Sequence, residues 1–173
     1  MTSLQTDYMA ESAAPIDTLE YYFRSHDWQF ERDGDDEIVA TVKGSWSDYE
    51  LRGLWRADDQ VLQFIAMTGI SAAATPAGQE RSSLYELLGM VNEQLWVGHF
   101  ELWSSDGAVL FRHALLLDGG DDSGLSLPQA HAMVDAAIEE CERYYPAIQF
   151  VLWGGKSPRD ALAAALTETE GEA

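Results

Sequence analysis

The sequence predicts an α+β fold in which an antiparallel sheet packs against helices on one face. Two observations support it: strand-like runs are separated by short turns, and other segments carry apolar residues at helical spacing. Short turns favour antiparallel hairpins, and strands grouped apart from helices are typical of an α+β domain. The predicted element order is α-β-β-β-β-α-β-β-α-α.

Capping residues predict where the four helices begin. Proline at the first helical position has no N–H to leave unpaired, so Ser157-Pro158 marks one start. Three further pairs have capping-box spacing, in which two side chains satisfy backbone amides reciprocally: Asp17 with Glu20, Ser83 with Glu86, and Ser126 with Gln129. The first helix is predicted over residues 18–27.

The third helix carries an apolar stripe with a period near 3.6, which includes Met133, Ala137 and Cys141. Pro146 is expected to break or kink this helix. The apolar run at 148–153 fits either one or two final helical turns or a buried strand.

Six strands are predicted in two groups. The first four lie between the first and second helices, at residues 28–32, 37–43, 49–56 and 60–67. The last two follow the second helix, at residues 99–103 and 108–117. Asp106-Gly107 between them is a strong hairpin signal, because both residues tolerate the positive φ of a tight turn.

The length of 173 residues fits one domain with a hydrophobic core. Residues 1–14 show no periodicity and are predicted to be flexible, residues 15–166 to form a single domain, and residues 167–173 an acidic tail. The segment 69–79, rich in small residues, separates two halves of one pattern.

Charge and cysteine content restrict the partners and the compartment. Ten basic and thirty acidic residues give a net charge of −20, which repels nucleic acid and anionic membrane surfaces and leaves solubility or a basic partner as explanations. A single cysteine, Cys141, allows no internal disulfide and favours a reducing compartment. Residues 1–14 lack a signal-peptide pattern, and no apolar stretch approaches the roughly 20 residues of a membrane span. A cytoplasmic location is predicted.

Each candidate for chemistry meets a simpler structural explanation. Gly154-Gly155-Lys156-Ser157 resembles the end of a phosphate-binding loop, but Phe150 stands where a further glycine is required. We expect instead a helix end with Gly154 at positive φ, followed by a helix start. Acidic segments at 33–37 and 118–122 lack the glycine and spacing of a calcium loop, so solvated turns are predicted.

No catalytic, cofactor-binding or metal-binding residue is predicted. The histidines, His26, His99, His113 and His131, lack zinc-ligand spacing. His113 is expected on the same strand face as Phe111 and Leu115, as a hydrogen-bonded core or interface histidine. Cys141 lies on its helix's apolar stripe and is predicted to be packed rather than reactive.

The tryptophans are predicted to be mostly core residues, because a large ring contributes strongly through burial. The five in strand-like segments or at element ends are Trp46, Trp55, Trp96, Trp103 and Trp153. Trp46 is the exception, since it lies in a polar turn. If exposed, it would be an anchor for a partner or a second copy.

Four stretches of the chain resemble one family. Residues 92–103, 111–117, 150–158 and 168–173 are similar to the alphaproteobacterial branch of the YbjN-domain proteins, described as bacterial sensory-transduction regulators. The resemblance covers residues 15–173. It implies a fold similar to that of type III secretion chaperones, which are α+β homodimers that hold extended segments of client proteins, and it carries over no catalytic residue.

These observations predict a non-enzymatic protein-binding module, regulatory or chaperone-like, that forms a homodimer. The alternative is a small-ligand-binding regulator with a pocket between sheet and helices, and a third possibility is an enzyme whose site is assembled from scattered residues. A shallow apolar groove would favour the first. An enclosed pocket with converging polar groups would favour the second. The sequence does not identify the partner or its binding residues.

Overall fold

The computed structural model describes residues 14–73, 78–117 and 124–170. Four helices and six strands lie within these ranges, in the predicted order. The helices are α1 (Pro15–Ser25), α2 (Gln79–Asn92), α3 (Leu127–Leu152) and α4 (Pro158–Glu170). The strands are β1 (Phe30–Asp33), β2 (Glu37–Lys43), β3 (Asp48–Arg56), β4 (Val61–Ser71), β5 (His99–Leu102) and β6 (Ala108–Leu116).

The strands form one antiparallel sheet in the order β1-β2-β3-β4-β6-β5, so β1 and β5 are its edges. Short turns join β1 to β2, β2 to β3, β3 to β4 and β5 to β6, as the sequence predicts. The register is continuous except for an irregularity between Met67 and Ser71, where β4 pairs with β6. This confirms the predicted α+β fold with an antiparallel sheet.

The hydrophobic core lies between the helices and one face of this sheet. Alternate strand residues point toward the helices and are buried, among them Tyr49, Phe64 and Phe111. α1 packs on β2 and β3, and α3 packs on β4 and β6. The close approach of α1 requires Gly53, because a Cβ at this position would overlap the side chain of Leu19.

Two predicted helix starts are wrong by several residues. α1 begins at Pro15, and Asp17 is its third residue, whose carboxylate accepts a hydrogen bond from the Ala14 N–H at 2.9 Å. Proline at the first position already has the φ that a helix needs, so the helix begins earlier than residue 18. α2 begins at Gln79, which places Ser83 inside the helix rather than at its cap.

The start of α3 is confirmed, and of the two alternatives predicted for residues 148–153 the helical one is observed. The Gln129 N–H donates to Ser126 Oγ (3.2 Å), and the Ser126 N–H donates to Gln129 Oε1 (3.0 Å). The helix passes through Pro146 and ends at Leu152, so the run at 148–153 is helical apart from its last residue. Buried residues on both sides of Pro146, including Tyr145 and Ile148, keep the helix packed where a hydrogen bond is lost.

The start of α4 at Pro158 also agrees with the sequence, and the helix extends four residues into the predicted acidic tail. Among the described helices, none has the length and apolar character that crossing a membrane requires. The acidic segment 118–122, residues 1–13 of the predicted flexible terminus, and residues 171–173 of the tail lie outside the described residues.

Candidate partner-binding surfaces

A shallow groove runs along the first two turns of α3. It has a volume of about 470 Å³, is open to solvent, and is lined by Leu127, Pro128, His131 and Ala132. These residues lie beside the buried stripe of α3 rather than on it, which leaves Leu127 38% exposed. The sequence signal for this groove is the presence of apolar residues, such as Leu127 and Pro128, outside the core stripe of α3.

His131 at the groove is held in place by Asp135, one helical turn further along α3. Its Nδ1 lies 2.7 Å from Asp135 Oδ2, and the Tyr22 hydroxyl of α1 donates to Asp135 Oδ1 at 3.1 Å. The His26 ring stacks on Tyr22 with centroids 4.1 Å apart. The arrangement links α1 to α3 and orients one imidazole beside an apolar surface.

The structure brings His26 and His131 together, with ring centroids 6.2 Å apart, although 105 positions of sequence would not suggest it. Within the described residues, no group of three or more His, Cys, Asp or Glu side chains could hold a metal ion. His113 faces the helices beside Phe111, as predicted, and burial lowers its pKa. Its Nδ1, however, has no hydrogen-bond partner among the described residues, so the predicted hydrogen bond at this atom is missing.

Cys141 is buried on α3 as predicted, and burial raises the pKa of its thiol. The segment that resembles a phosphate-binding loop is the turn between α3 and α4. Its positive φ belongs to Gly155 (64°) rather than to Gly154 as predicted. Ser157 Oγ accepts from the Asp160 N–H at 3.2 Å, and Lys156 Nζ lies 4.2 Å from the centre of the Phe150 ring.

The expectation that most tryptophans are core residues is wrong. Trp96 is 98% exposed, Trp153 is 61% exposed, and both lie in connections that follow a helix. Trp46 is 49% exposed, in the turn between β2 and β3, with its ring stacked on Tyr145. The exposure required for an anchor at Trp46 is therefore present.

The loop that carries Trp96 is fixed at both ends by Asn92. The Phe100 N–H donates to Asn92 Oδ1 (2.7 Å), and Asn92 Nδ2 donates to the Phe100 carbonyl (3.0 Å). The side-chain amide thus takes the place of a neighbouring strand at the β5 edge.

The second face of the sheet points away from the core, and we call it the outer sheet face. Cross-strand pairs place its residues in rows. The arginine row consists of Glu31, Val39, Arg52, Ile65, Arg112 and His99. The glutamate row beside it consists of Thr41, Glu50, Met67, Leu110 and Glu101. Apart from Glu31 at the β1 end, basic and acidic side chains therefore occupy neighbouring rows, with apolar residues at their centres.

Among the described side chains of this face, Glu101 makes the largest number of polar contacts. Its carboxylate contacts His99 Nε2 (2.7 Å), the Trp103 indole N–H (3.0 Å) and the Arg112 guanidinium (3.0 Å). Burial alone would raise the pKa of Glu101, but the hydrogen bonds from His99 and Trp103 and the charge of Arg112 outweigh it and lower the pKa. Arg112 also lies over the Trp103 ring.

Over the residues that the structure describes, the fold is that of an α+β domain in which an open antiparallel sheet carries helices on one face, with a groove on the helical side. Residues 15–150 match the model of the YbjN family, described as "Putative bacterial sensory transduction regulator". The chain belongs to this family. No curated protein and no solved structure gave a significant match.

Proposed function

We propose that this chain is a non-enzymatic protein-binding module, regulatory or chaperone-like, which works in the cytoplasm and holds a segment of a partner protein in the groove on α3. The observation that carries the proposal is the shape of the groove. It is open along the helix and lined by Leu127, Pro128, His131 and Ala132. A helical or extended segment can lay apolar side chains into such a surface.

The charge of the chain indicates the chemistry of that segment. A net charge of −20 attracts basic chains at a distance and speeds their encounter. Once bound, contact with the groove depends on apolar side chains, because three of its four lining residues carry no polar side chain. We therefore propose a segment with apolar side chains and flanking lysines or arginines.

The alternative of a small-ligand regulator has less support. A small ligand is usually enclosed over most of its surface by a pocket with several convergent polar groups. The groove is open, and His131 is its one polar lining side chain. The resemblance to the YbjN family implies a fold similar to type III secretion chaperones and with it a homodimer, which we include in the proposal.

A random peptide library displayed on phage tests the groove directly. The wild-type chain should enrich peptides that combine apolar and basic residues. Ala132→Arg places a long cation in the groove and should weaken the binding of these peptides by at least about tenfold, or about 1.4 kcal/mol. Binding is measured with the synthetic peptides by fluorescence anisotropy.

Ala163→Arg on α4 is the matched control, since Ala132 and Ala163 are both exposed helical alanines and the charge change is the same. It should leave peptide binding within about twofold of wild type. Failure to enrich any peptide, or equal loss with both variants, would refute the groove as the binding site.

A further inference from the structure

We infer that the outer sheet face is the interface between two copies of this chain, related by a two-fold axis that runs between the arginine row and the glutamate row. The inference deepens the proposed homodimer by naming its surface, and it rests on that part of the proposed function. Three features support it: the distribution of charge over the sheet, the symmetry of the rows, and the size of the face.

The outer sheet face is much closer to charge balance than the chain as a whole. Four of the ten basic residues lie on it, against six of the thirty acidic residues. The basic residues are Lys43, Arg52, Arg56 and Arg112; the acidic ones are Glu31, Asp33, Glu37, Asp48, Glu50 and Glu101. Two copies that each carry −20 repel one another. This repulsion is weakest where basic residues are concentrated.

The rows are arranged so that a two-fold axis makes the face complementary to itself. Rotation by 180° about an axis between the rows, across the strands, lays the arginine row of one copy over the glutamate row of the other. Arg52, whose Nε donates to Glu50 of its own chain at 2.6 Å, then also faces Glu50 of the second copy. Ile65 lies opposite Met67 of the second copy but is only 3% exposed within one copy. Each of these contacts occurs twice.

The same axis matches further pairs. His99 faces Glu101 of the second copy, because both belong to β5 on opposite sides of the axis. The Lys43–Asp48 pair lies one row outside the glutamate row, and the Glu37–Leu54 pair lies one row outside the arginine row. These two outer rows face each other across the axis, so Lys43 faces Glu37 of the second copy. Unlike charges meet at the Arg52–Glu50 and Lys43–Glu37 positions, and His99 faces a carboxylate, whereas Arg112 faces Leu110 and Asp48 faces Leu54 of the second copy. Within the described residues, no helix packs on this face.

The face is large enough for a stable interface. Five spacings of about 4.8 Å between strands and about 30 Å along the nine-residue β3 give roughly 700 Å². Standard interfaces bury about 800 Å² on each partner. Sheets stacked in this way pack about 10 Å apart with their strands within about 30° of alignment.

Charge reversal followed by mixing tests the axis. Arg52→Glu puts a carboxylate opposite Glu50 of the second copy at two positions, and Glu50→Arg likewise puts two guanidinium groups opposite each other. Each variant alone should dimerise at least about tenfold more weakly than wild type. An equimolar mixture should recover dimer, because an acidic chain facing a basic chain restores unlike charges at both positions. The measurement is sedimentation velocity over about 1–100 µM full-length chain.

Two controls isolate the interface. Arg24→Glu on α1 breaks a comparable surface pair with Glu20 and makes the same charge change, so dimerisation should not change. Lys43→Glu mixed with Glu37→Lys repeats the scheme at a second position on the same axis, in case reversal at Arg52 prevents folding. Circular dichroism confirms that each variant is folded.

The outcomes separate the interface from the homodimer. A wild-type dimer that both reversals leave intact would place the interface elsewhere and retain the homodimer. Reversals that weaken the dimer without recovery on mixing would refute the axis. A wild-type chain that stays monomeric would refute both, while the groove would still be judged by its own peptide experiment.

Discussion

Gly53 shows how a single missing side chain sets the distance between a helix and the sheet. Gly53→Ala adds a Cβ that overlaps Leu19 and also approaches Ile38, both buried. We expect the variant to lower the free energy of unfolding by about 1–3 kcal/mol, because the added group forces α1 away from β3. Urea unfolding followed by circular dichroism measures the change.

Gly89 lies on the surface, where adding a side chain should stabilise the protein rather than destabilise it. It lies inside α2, a Cβ added to it would meet nothing within 4 Å, and its φ is not positive. Gly89→Ala should therefore raise the free energy of unfolding by about 0.5–1 kcal/mol. Equal effects of the two substitutions would contradict the packing described for Gly53.

Single residues were predicted well where burial follows from a local pattern. Cys141 was placed correctly because it lies on a helical stripe of apolar residues. Trp96 was not, since its exposure depends on the loop that Asn92 fixes, and composition does not encode that bond. The His131–Asp135–Tyr22 arrangement was missed for a similar reason, because Tyr22 comes from another helix.

The helix caps allow a matched experiment on whole elements. Ser126 is the observed N-cap of α3, and Ser126→Ala removes the acceptor for the Gln129 N–H. The free energy of unfolding should fall by about 1 kcal/mol. The measurement is again urea unfolding.

Ser83→Ala is its control, since sequence spacing alone made the two serines equivalent. Ser83 lies inside α2, where alanine is the better helix former, so stability should stay within about 0.5 kcal/mol of wild type or rise. A loss as large as that of Ser126→Ala would show that α2 begins at residue 83 in solution.

The limits of strands and helices were predicted with mixed success: β4 continues to Ser71, four residues beyond its predicted end, and α2 begins before its predicted start. β2 has the predicted limits, because turn residues bound it on both sides. The start of α2 was missed because Ser83 and Glu86 have capping-box spacing within a helix that continues before them. Of the alternatives left open at Pro146, a break is excluded for a physical reason: the cost of the proline is local, whereas the packing that holds α3 extends along the whole helix.

At the scale of the whole molecule, net charge should limit stability. A charge of −20 destabilises the compact state through self-repulsion, and salt screens it. Between about 0.01 M and 1 M NaCl the Debye length falls from about 30 Å to about 3 Å. We expect the free energy of unfolding in urea to rise by on the order of 1 kcal/mol over this range, at constant protein concentration.

The choice of salt and one charge variant serve as controls for this effect. Sodium sulfate would stabilise most proteins by exclusion from their surface, so sodium chloride is the appropriate salt. Replacing the exposed Glu86 by Gln removes one negative charge and should reduce the salt effect slightly. Stability that falls as sodium chloride rises would mean that favourable ion pairs, such as those of Arg32 with Asp17 and Glu20, outweigh the repulsion.

The element order was predicted from sequence, but the surfaces were not. Charge balance on the outer sheet face emerges only when the register places Arg52 and Arg112 on either side of Ile65. Arg52 and Arg112 are separated by sixty positions, and their spacing along the chain carries no sign of this proximity. Sequence patterns therefore predict the fold, whereas the candidate interfaces can be recognised only once the pairing of residues between strands is known.

The Asn92 amide has a consequence for aggregation. An edge strand with free N–H and C=O groups is a template on which further chains can add, and a sheet open at both edges can grow into a fibre. At Phe100 the outward-facing N–H and C=O groups of β5 are already hydrogen-bonded to the side-chain amide of Asn92. Among the described strands, β1 is the other edge of the sheet. A sheet whose β5 edge is blocked at Phe100 cannot extend freely in both directions, which hinders growth into a fibre.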